Sequence, residues 1–200
     1  MTNKIILYLA LMSGVSMVEK QQLKFVYKIV VLGDGGVGKT CLTLTFVKKE
    51  FKSDYIPTMG VDIYTKDFDL GETKITLIVW DIAGQQKFDL VRKQYYKGAQ
   101  GALIVFDLTR SATFHNIENW HRDLAEGAGE KIPIILLGNK SDIEEQRQVT
   151  PEQCNLMSKK LGSDYFETSA KTGKNVDQAF FNLLKKIIKL NISRKEYSST

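Results

Sequence analysis

Gly33-Asp34-Gly35-Gly36-Val37-Gly38-Lys39-Thr40 decides how this chain folds. It follows the apolar run Phe25 to Leu32 and leads into Cys41-Leu42-Thr43-Leu44-Thr45-Phe46-Val47. The succession predicts a buried strand, a glycine-rich turn and a helix start. The pattern G-x-x-x-x-G-K-[ST] is complete. Glycines let backbone N–H groups turn inward around a phosphate. The helix start behind them adds unpaired N–H groups and a positive dipole end. Lys39 can reach β- and γ-phosphate oxygens, and the Thr40 hydroxyl suits Mg2+. Gly33, Gly35 and Gly38 also spell G-x-G-x-x-G, with Asp54 near the spacing a dinucleotide fold requires. That weaker pattern leaves Lys39-Thr40 without a purpose, and Asp54 sits in a polar stretch rather than at a strand end.

Two hundred residues suit one domain with a full core. The net charge of +5 is modest, and several of its cations lie near the C-terminus, so nucleic acid is not an expected partner. Cys41 and Cys154 are the only cysteines, too few for a disulfide framework or a metal site. His115 and His121 read as ordinary residues of one helix. Ile5 to Val18 is an apolar segment behind Lys4. At about 14 residues it is shorter than the roughly 20 that span a bilayer. It reads as a membrane-associating leader or as sequence upstream of a start at Met17.

Beyond the loop, Lys48 to Met59 is polar and irregular. Val61 to Leu70 and Lys74 to Trp80 read as strands of a hairpin turned at Gly71-Glu72. Gly101 to Asp107 and Ile132 to Leu137 read as buried strands, and Tyr165-Phe166 marks a short last one. One helix is expected over Ser111 to Glu126 with Ser111 as its N-cap. Another starts at the capping box Thr150-Pro151-Glu152-Gln153, and a third is capped by Asn175. Strands alternating with helices predict a mostly parallel sheet, covered on both faces, with one antiparallel edge strand. Ligands of such sheets sit beyond the carboxyl ends of the strands.

Asp81 closes a strand of apolar neighbours, so its carboxylate emerges at that edge as a Mg2+ ligand or a partner for Thr40. Ala83-Gly84 lets backbone approach a terminal phosphate, and the Gln85 amide can orient a water for in-line attack. Asn139-Lys140-Ser141-Asp142 ends another strand. The Asp142 carboxylate can accept from the N1–H and the amino group of guanine, whereas adenine would leave it unpaired. Lys140 can cover the base, and Asn139 can tie its loop to the phosphate loop.

Gly33–Thr40, Thr58, Asp81–Gln85, Asn139–Asp142 and Thr168-Ser169-Ala170-Lys171 resemble, in order, the guanine-nucleotide motifs of the Ras superfamily of small GTPases, from about Tyr27 to Leu190. Tyr55 to Asp62, Trp80-Asp81, Tyr95 to Gly101 and Glu118-Asn119-Trp120 look most like the Rab branch. The resemblance implies a P-loop NTPase fold, an α/β G domain with a six-stranded mostly parallel sheet. It implies a GTP/GDP switch that needs Mg2+ and hydrolyses GTP slowly, with a nucleotide-locked scaffold as the alternative. Gly33, Asp34, Gly35, Gly36, Val37, Gly38, Lys39, Thr40 and Cys41 would hold the phosphates. Thr58 would join Thr40 and Asp81 at the metal and sense the γ-phosphate. Phe51 would pack against guanine, Tyr55 would close over the phosphates, Gly84 would meet the γ-phosphate, and Ser169, Ala170 and Lys171 would support the base. Gln85, Lys39 and Thr58 would carry catalysis. No arginine lies between Cys41 and Val91, which leaves Arg92 as the nearest internal candidate for an arginine finger.

Residues 1–22 are thus expected as a leader, 23–190 as the G domain and 191–200 as a tail. Activating factors, exchange factors and effectors would meet a monomer through residues 51–63 and 84–98. Ile82 and Gln86 depart from the usual threonine and glutamate, and Ile63 replaces an aromatic residue of the Rab hydrophobic triad. Asn191 to Thr200 holds no cysteine, so no prenyl anchor is expected there, and a cytoplasmic protein with membrane contact left open is the expectation.

Overall fold

The computed structural model describes residues 22–51, 58–84 and 89–198. The leader up to residue 21, Asp54, Tyr55, Gln85, Gln86 and the last two residues lie outside them. Among the described residues, six strands form one sheet in the order β2-β3-β1-β4-β5-β6. They are β1 (Leu23–Leu32), β2 (Val61–Asp69), β3 (Thr73–Ile82), β4 (Gly101–Asp107), β5 (Ile134–Asn139) and β6 (Asp164–Glu167). Every pairing is parallel except that of β2 with β3, the hairpin that places β2 at the edge.

Strand alternation sends successive side chains to opposite layers. Tyr27, Ile29 and Val31 of β1 pack with Leu103, Val105, Ile135 and Leu137 under α1 (Lys39–Lys48) and α6 (Val176–Ser198). Phe46 of α1 stacks on Phe180 of α6 with ring centroids 3.9 Å apart. Val30, Leu32, Ala102, Ile104 and Phe106 face the other layer, under α2 (Asp89–Tyr96), α3 (Ser111–His115), α4 (Ile117–Ala128) and α5 (Pro151–Leu161). All seven residues of β4 are buried, as a central strand covered on both faces requires. Each fully buried aliphatic or aromatic side chain contributes about 1.5–3 kcal/mol.

Two local expectations need correction. The segment from Ser111 is two helices rather than one, because the chain turns at Asn116. Ser111 is the first helical residue and not the cap. Arg110 holds the cap position in extended conformation with no side-chain cap bond. By contrast, Thr150 and Gln153 form both bonds of the capping box, with Pro151 at the first turn. Asn175 adopts φ 57°, and the bond from its side-chain amide runs back to the Glu167 carbonyl of β6 at 2.8 Å. Helix α6 continues without a break through Asn191 to Ser198. No helix among the described residues is long and apolar enough to cross a membrane.

Candidate functional site

β1 is buried to its last residue and then must turn, and Gly33 makes the turn possible. A Cβ there would lie 2.0 Å from the Val105 carbonyl oxygen, so only glycine fits against β4. Gly38 ends the loop at φ 97° as the N-cap of α1, with no side-chain cap and no acidic residue in the first turn. The helix therefore presents its first N–H groups and positive end to the loop without a competing side chain. Gly84, after β3, rests on the loop: a Cβ there would lie 2.2 Å from the Gly33 oxygen.

The Lys39 ammonium donates to the carbonyls of Gly33 at 2.7 Å and Asp34 at 2.8 Å. Burial pushes its pKa down to about 8, with the charges of Asp81 and Asp34 opposing and those of Arg92 and Arg110 adding. Nearby, Thr40 donates to Asp81 Oδ2, and Thr40 Oγ1 lies 2.9 Å from Thr58 Oγ1. Thr58 Oγ1 also lies 3.5 Å from Asp81 Oδ2. Asp81 is fully buried, and its Oδ1 has no hydrogen-bond partner. Burial raises its pKa to about 6, against the Thr40 bond and the Lys39 charge. A hard oxygen set with an orphaned buried carboxylate oxygen fits Mg2+, which takes few protein ligands and keeps water and phosphate oxygens.

The cleft continues from Gly36, Gly38–Cys41 to Phe51, Asn139, Lys140, Asp142, Ala170 and Lys171. Asn139 donates to the Val37 carbonyl at 2.8 Å and accepts from the Ala170 N–H and the Thr168 hydroxyl, both at 3.3 Å. One side chain thus ties the phosphate loop to the loops after β5 and β6. Asp142 Oδ1 accepts from Ser169 Oγ at 2.6 Å, which fixes the plane of the carboxylate beside the cleft. Lys140 reaches its position through φ 67°. The expected site residues that lie among the described residues converge at the carboxyl edge of the sheet. Tyr55 and Gln85 lie outside the described residues.

Sequence reading missed a supporting set. Asp34 accepts from Asn116 Nδ2 at 2.8 Å and from Trp120 Nε1 at 2.7 Å, so the loop is held from α4. The turn at Asn116 is what brings that side chain to Asp34. Asp107, fully buried at the end of β4, pairs with Lys140 at 2.6 Å and Arg110 at 2.9 Å. Burial alone would raise its pKa, but the bonds from Lys140, Thr109 and Arg110 hold the carboxyl below the usual range. A signal for Asp107 was present, since it ends an apolar strand as Asp81 does. Nothing in the sequence marks Arg110. Arg92 is buried with its guanidinium 4.2 Å above the Trp120 ring, packed between α2 and α4 rather than lining the cleft.

Ile63 sits opposite Trp80 across the hairpin, and the Trp80 ring lies 6.1 Å from Tyr95 on α2. Ile63 is exposed. Trp80 thus links Ile63 to Tyr95.

The Ras family matches residues 28–189 of the chain. Ras-related protein Rab-13 of Bos taurus is 42% identical over 162 residues, 81% of this chain and 80% of the relative. GTP-binding protein ypt2 of Schizosaccharomyces pombe is 40% identical over 176 residues, 88% of both chains. Ras-related protein Rab-8B of Homo sapiens is 39% identical over 176 residues, 88% of this chain and 85% of the relative.

Proposed function

Because the chain belongs to the Ras family and is a small GTPase, we propose that it is a Rab-like switch whose cleft binds GTP or GDP with Mg2+ and converts GTP to GDP and phosphate. The observation that carries the site assignment is the convergence of the phosphate loop, Asp81 and the Asn139–Asp142 loop at one sheet edge, stapled by Asn139.

Asp142 selects the base. Its carboxylate accepts from the guanine N1–H and amino group, and an adenine would leave a charged acceptor unpaired, a penalty that can reach on the order of 10⁴-fold. Phe51 packs on the base, with Lys140, Ser169, Ala170 and Lys171 around it. The loop N–H groups and the start of α1 hold the phosphates, with Val37 and Cys41 supplying backbone at either end of Gly38–Thr40. The Lys39 ammonium gives up its hold on the Gly33 and Asp34 carbonyls to pair with phosphate oxygens, and an anion there keeps it protonated.

Thr40, Thr58 and Asp81 would hold Mg2+, which when bound supplies charge neutralisation on the transferring phosphoryl group. Gln85, on its chemistry and its place after Asp81, orients the attacking water, and Thr58 reports the γ-phosphate to its segment. Gly84 keeps backbone close to that phosphate. Arg92 does not serve as an internal finger, since its guanidinium is committed to the Trp120 ring. Turnover is therefore slow without a partner, on the order of 10⁻⁴ per second, and an arginine supplied in trans adds about 10⁵-fold.

Effectors, exchange factors and activating factors dock on residues 51–63 and 84–98, around Ile63, Trp80 and Tyr95. The protein works in the cytoplasm as a monomer, peripheral to a membrane where its partners place it. A nucleotide-locked scaffold without turnover is not favoured. The test is calorimetry of purified protein with GDP, GTP and ATP, repeated with Asp142→Ala. GTP and GDP should bind and ATP should not, and the variant should lose that preference. Equal binding of ATP by the wild type, or undiminished GTP binding by the variant, overturns the assignment.

A further inference from the structure

Arg110 stands at the rim of the phosphate loop, outside every nucleotide motif of the chain. Its Nε donates to Asp107 Oδ2 at 2.9 Å and its Nη2 to the Gly35 carbonyl at 3.0 Å. A Cβ built on Gly36 would lie 3.6 Å from Nη2 and 4.0 Å from Nη1, so the guanidinium lies beside the Gly35–Gly36 peptide. Gly36 in turn lines the cleft. A free surface arginine contributes little, because it must be ordered to act. This one is fastened at both edges of its planar fork, to a buried anion and to a backbone carbonyl, so its ordering is already done.

Two physical effects follow. A trans peptide sets its C=O and N–H on opposite edges. The bond to the Gly35 carbonyl therefore fixes the Gly36 N–H on the far edge, the side from which a phosphate oxygen would be held. The charge acts as well. The guanidinium charge lies beside Gly36, which lines the cleft. A fixed positive charge at that place favours an anion.

The geometry points to Arg110 as a positioning residue for the nucleotide polyphosphate: pinned by Asp107, it orients the Gly35–Gly36 peptide and adds positive potential to the loop, which slows release of a nucleoside diphosphate. The assignment deepens the guanine-nucleotide reading and rests on it.

The experiment is release of a fluorescent GDP analogue from the full chain in excess unlabelled GDP and Mg2+, at low and high salt. Wild type is compared with Arg110→Gln, which keeps a donor but not the charge, and Arg110→Lys, which keeps the charge. Arg110→Gln should release roughly tenfold faster at low salt. Because the side chain is partly exposed, the gap should narrow towards about threefold at roughly 0.5 M salt. Arg110→Lys should stay within about threefold of wild type at low salt. Arg110→Ala serves in the same comparison should the glutamine variant fold poorly. Release from the neutral variants as slow as from wild type overturns the assignment. So does an equal, salt-independent acceleration in the lysine and glutamine variants, which would assign Arg110 to loop structure alone. A wild type that binds no GDP fails the nucleotide reading itself, a separate outcome from indifference at position 110.

Discussion

Replacing Asn139 by alanine tests the site where a single side chain serves three loops. Asn139 is buried at the end of β5. Its bond to the Val37 carbonyl, at 2.8 Å, is well made, and those from Ala170 N–H and Thr168 Oγ1, at 3.3 Å, are long. A typical bond contributes about 1 kcal/mol net, and a buried group left without its partner costs about 1–3 kcal/mol. Asn139→Ala removes the partner of Val37 O and of Ala170 N–H together. Counting the long bond at the low end gives a loss of about 2–4 kcal/mol, or roughly 30- to 1000-fold in an equilibrium constant. Because the staple joins phosphate-side and base-side loops, the loss should appear as faster GDP release and not only as lower stability. The assay pairs release of a fluorescent GDP analogue with urea unfolding of the GDP-loaded protein. Asn139→Asp sharpens the result: a carboxylate can still accept from Ala170 but faces the Val37 carbonyl with no donor, so it should not rescue. GDP release within twofold of wild type in Asn139→Ala, or rescue by Asn139→Asp, would refute the role given to the Val37 bond.

Gly38→Ala should lower GDP affinity by more than about 100-fold in a fluorescence titration, from backbone strain at φ 97° and a Cβ only 2.3 Å from Asn139 Nδ2. Gly35→Ala meets nothing within 4 Å and should stay within about threefold of wild type for GDP. Trp120→Phe keeps a ring for Arg92 but removes the donor to Asp34, so urea unfolding should show a loss of about 1–2 kcal/mol. Adding that change to Asp34→Ala should cost little more, and full additivity would deny the coupling. Asp107 has a depressed carboxyl pKa, so its stabilisation is present above the unfolded value near 3.8 and is lost as pH falls through the lower folded value. Wild type should therefore lose stability more steeply than Asp107→Asn as pH falls below about 4. Parallel acid-unfolding curves would contradict the ion-pair account.

The phosphate loop, the strand-ending Asp81, the Asn139–Asp142 loop, the β2–β3 hairpin and the capping box of α5 are legible along the chain. These are local: a turn, a helix start or a strand end dictates its residue types within a few positions, and chemistry at fixed spacing is readable along a line. Periodicity also separated buried β4 from its helices. It did not show the turn at Asn116, because Phe114, Ile117 and Leu124 keep one helical face on either side of it. Which distant side chains meet at the sheet edge follows from the packing of the folded chain. Trp120 reaches Asp34 across 86 positions, and Arg110 reaches Gly35 across 75. Such pairings follow from crossover connections and strand register, which set distances that no spacing in the chain encodes. The same register fastened Arg92 against Trp120 and left Arg110 as the arginine at the phosphate loop.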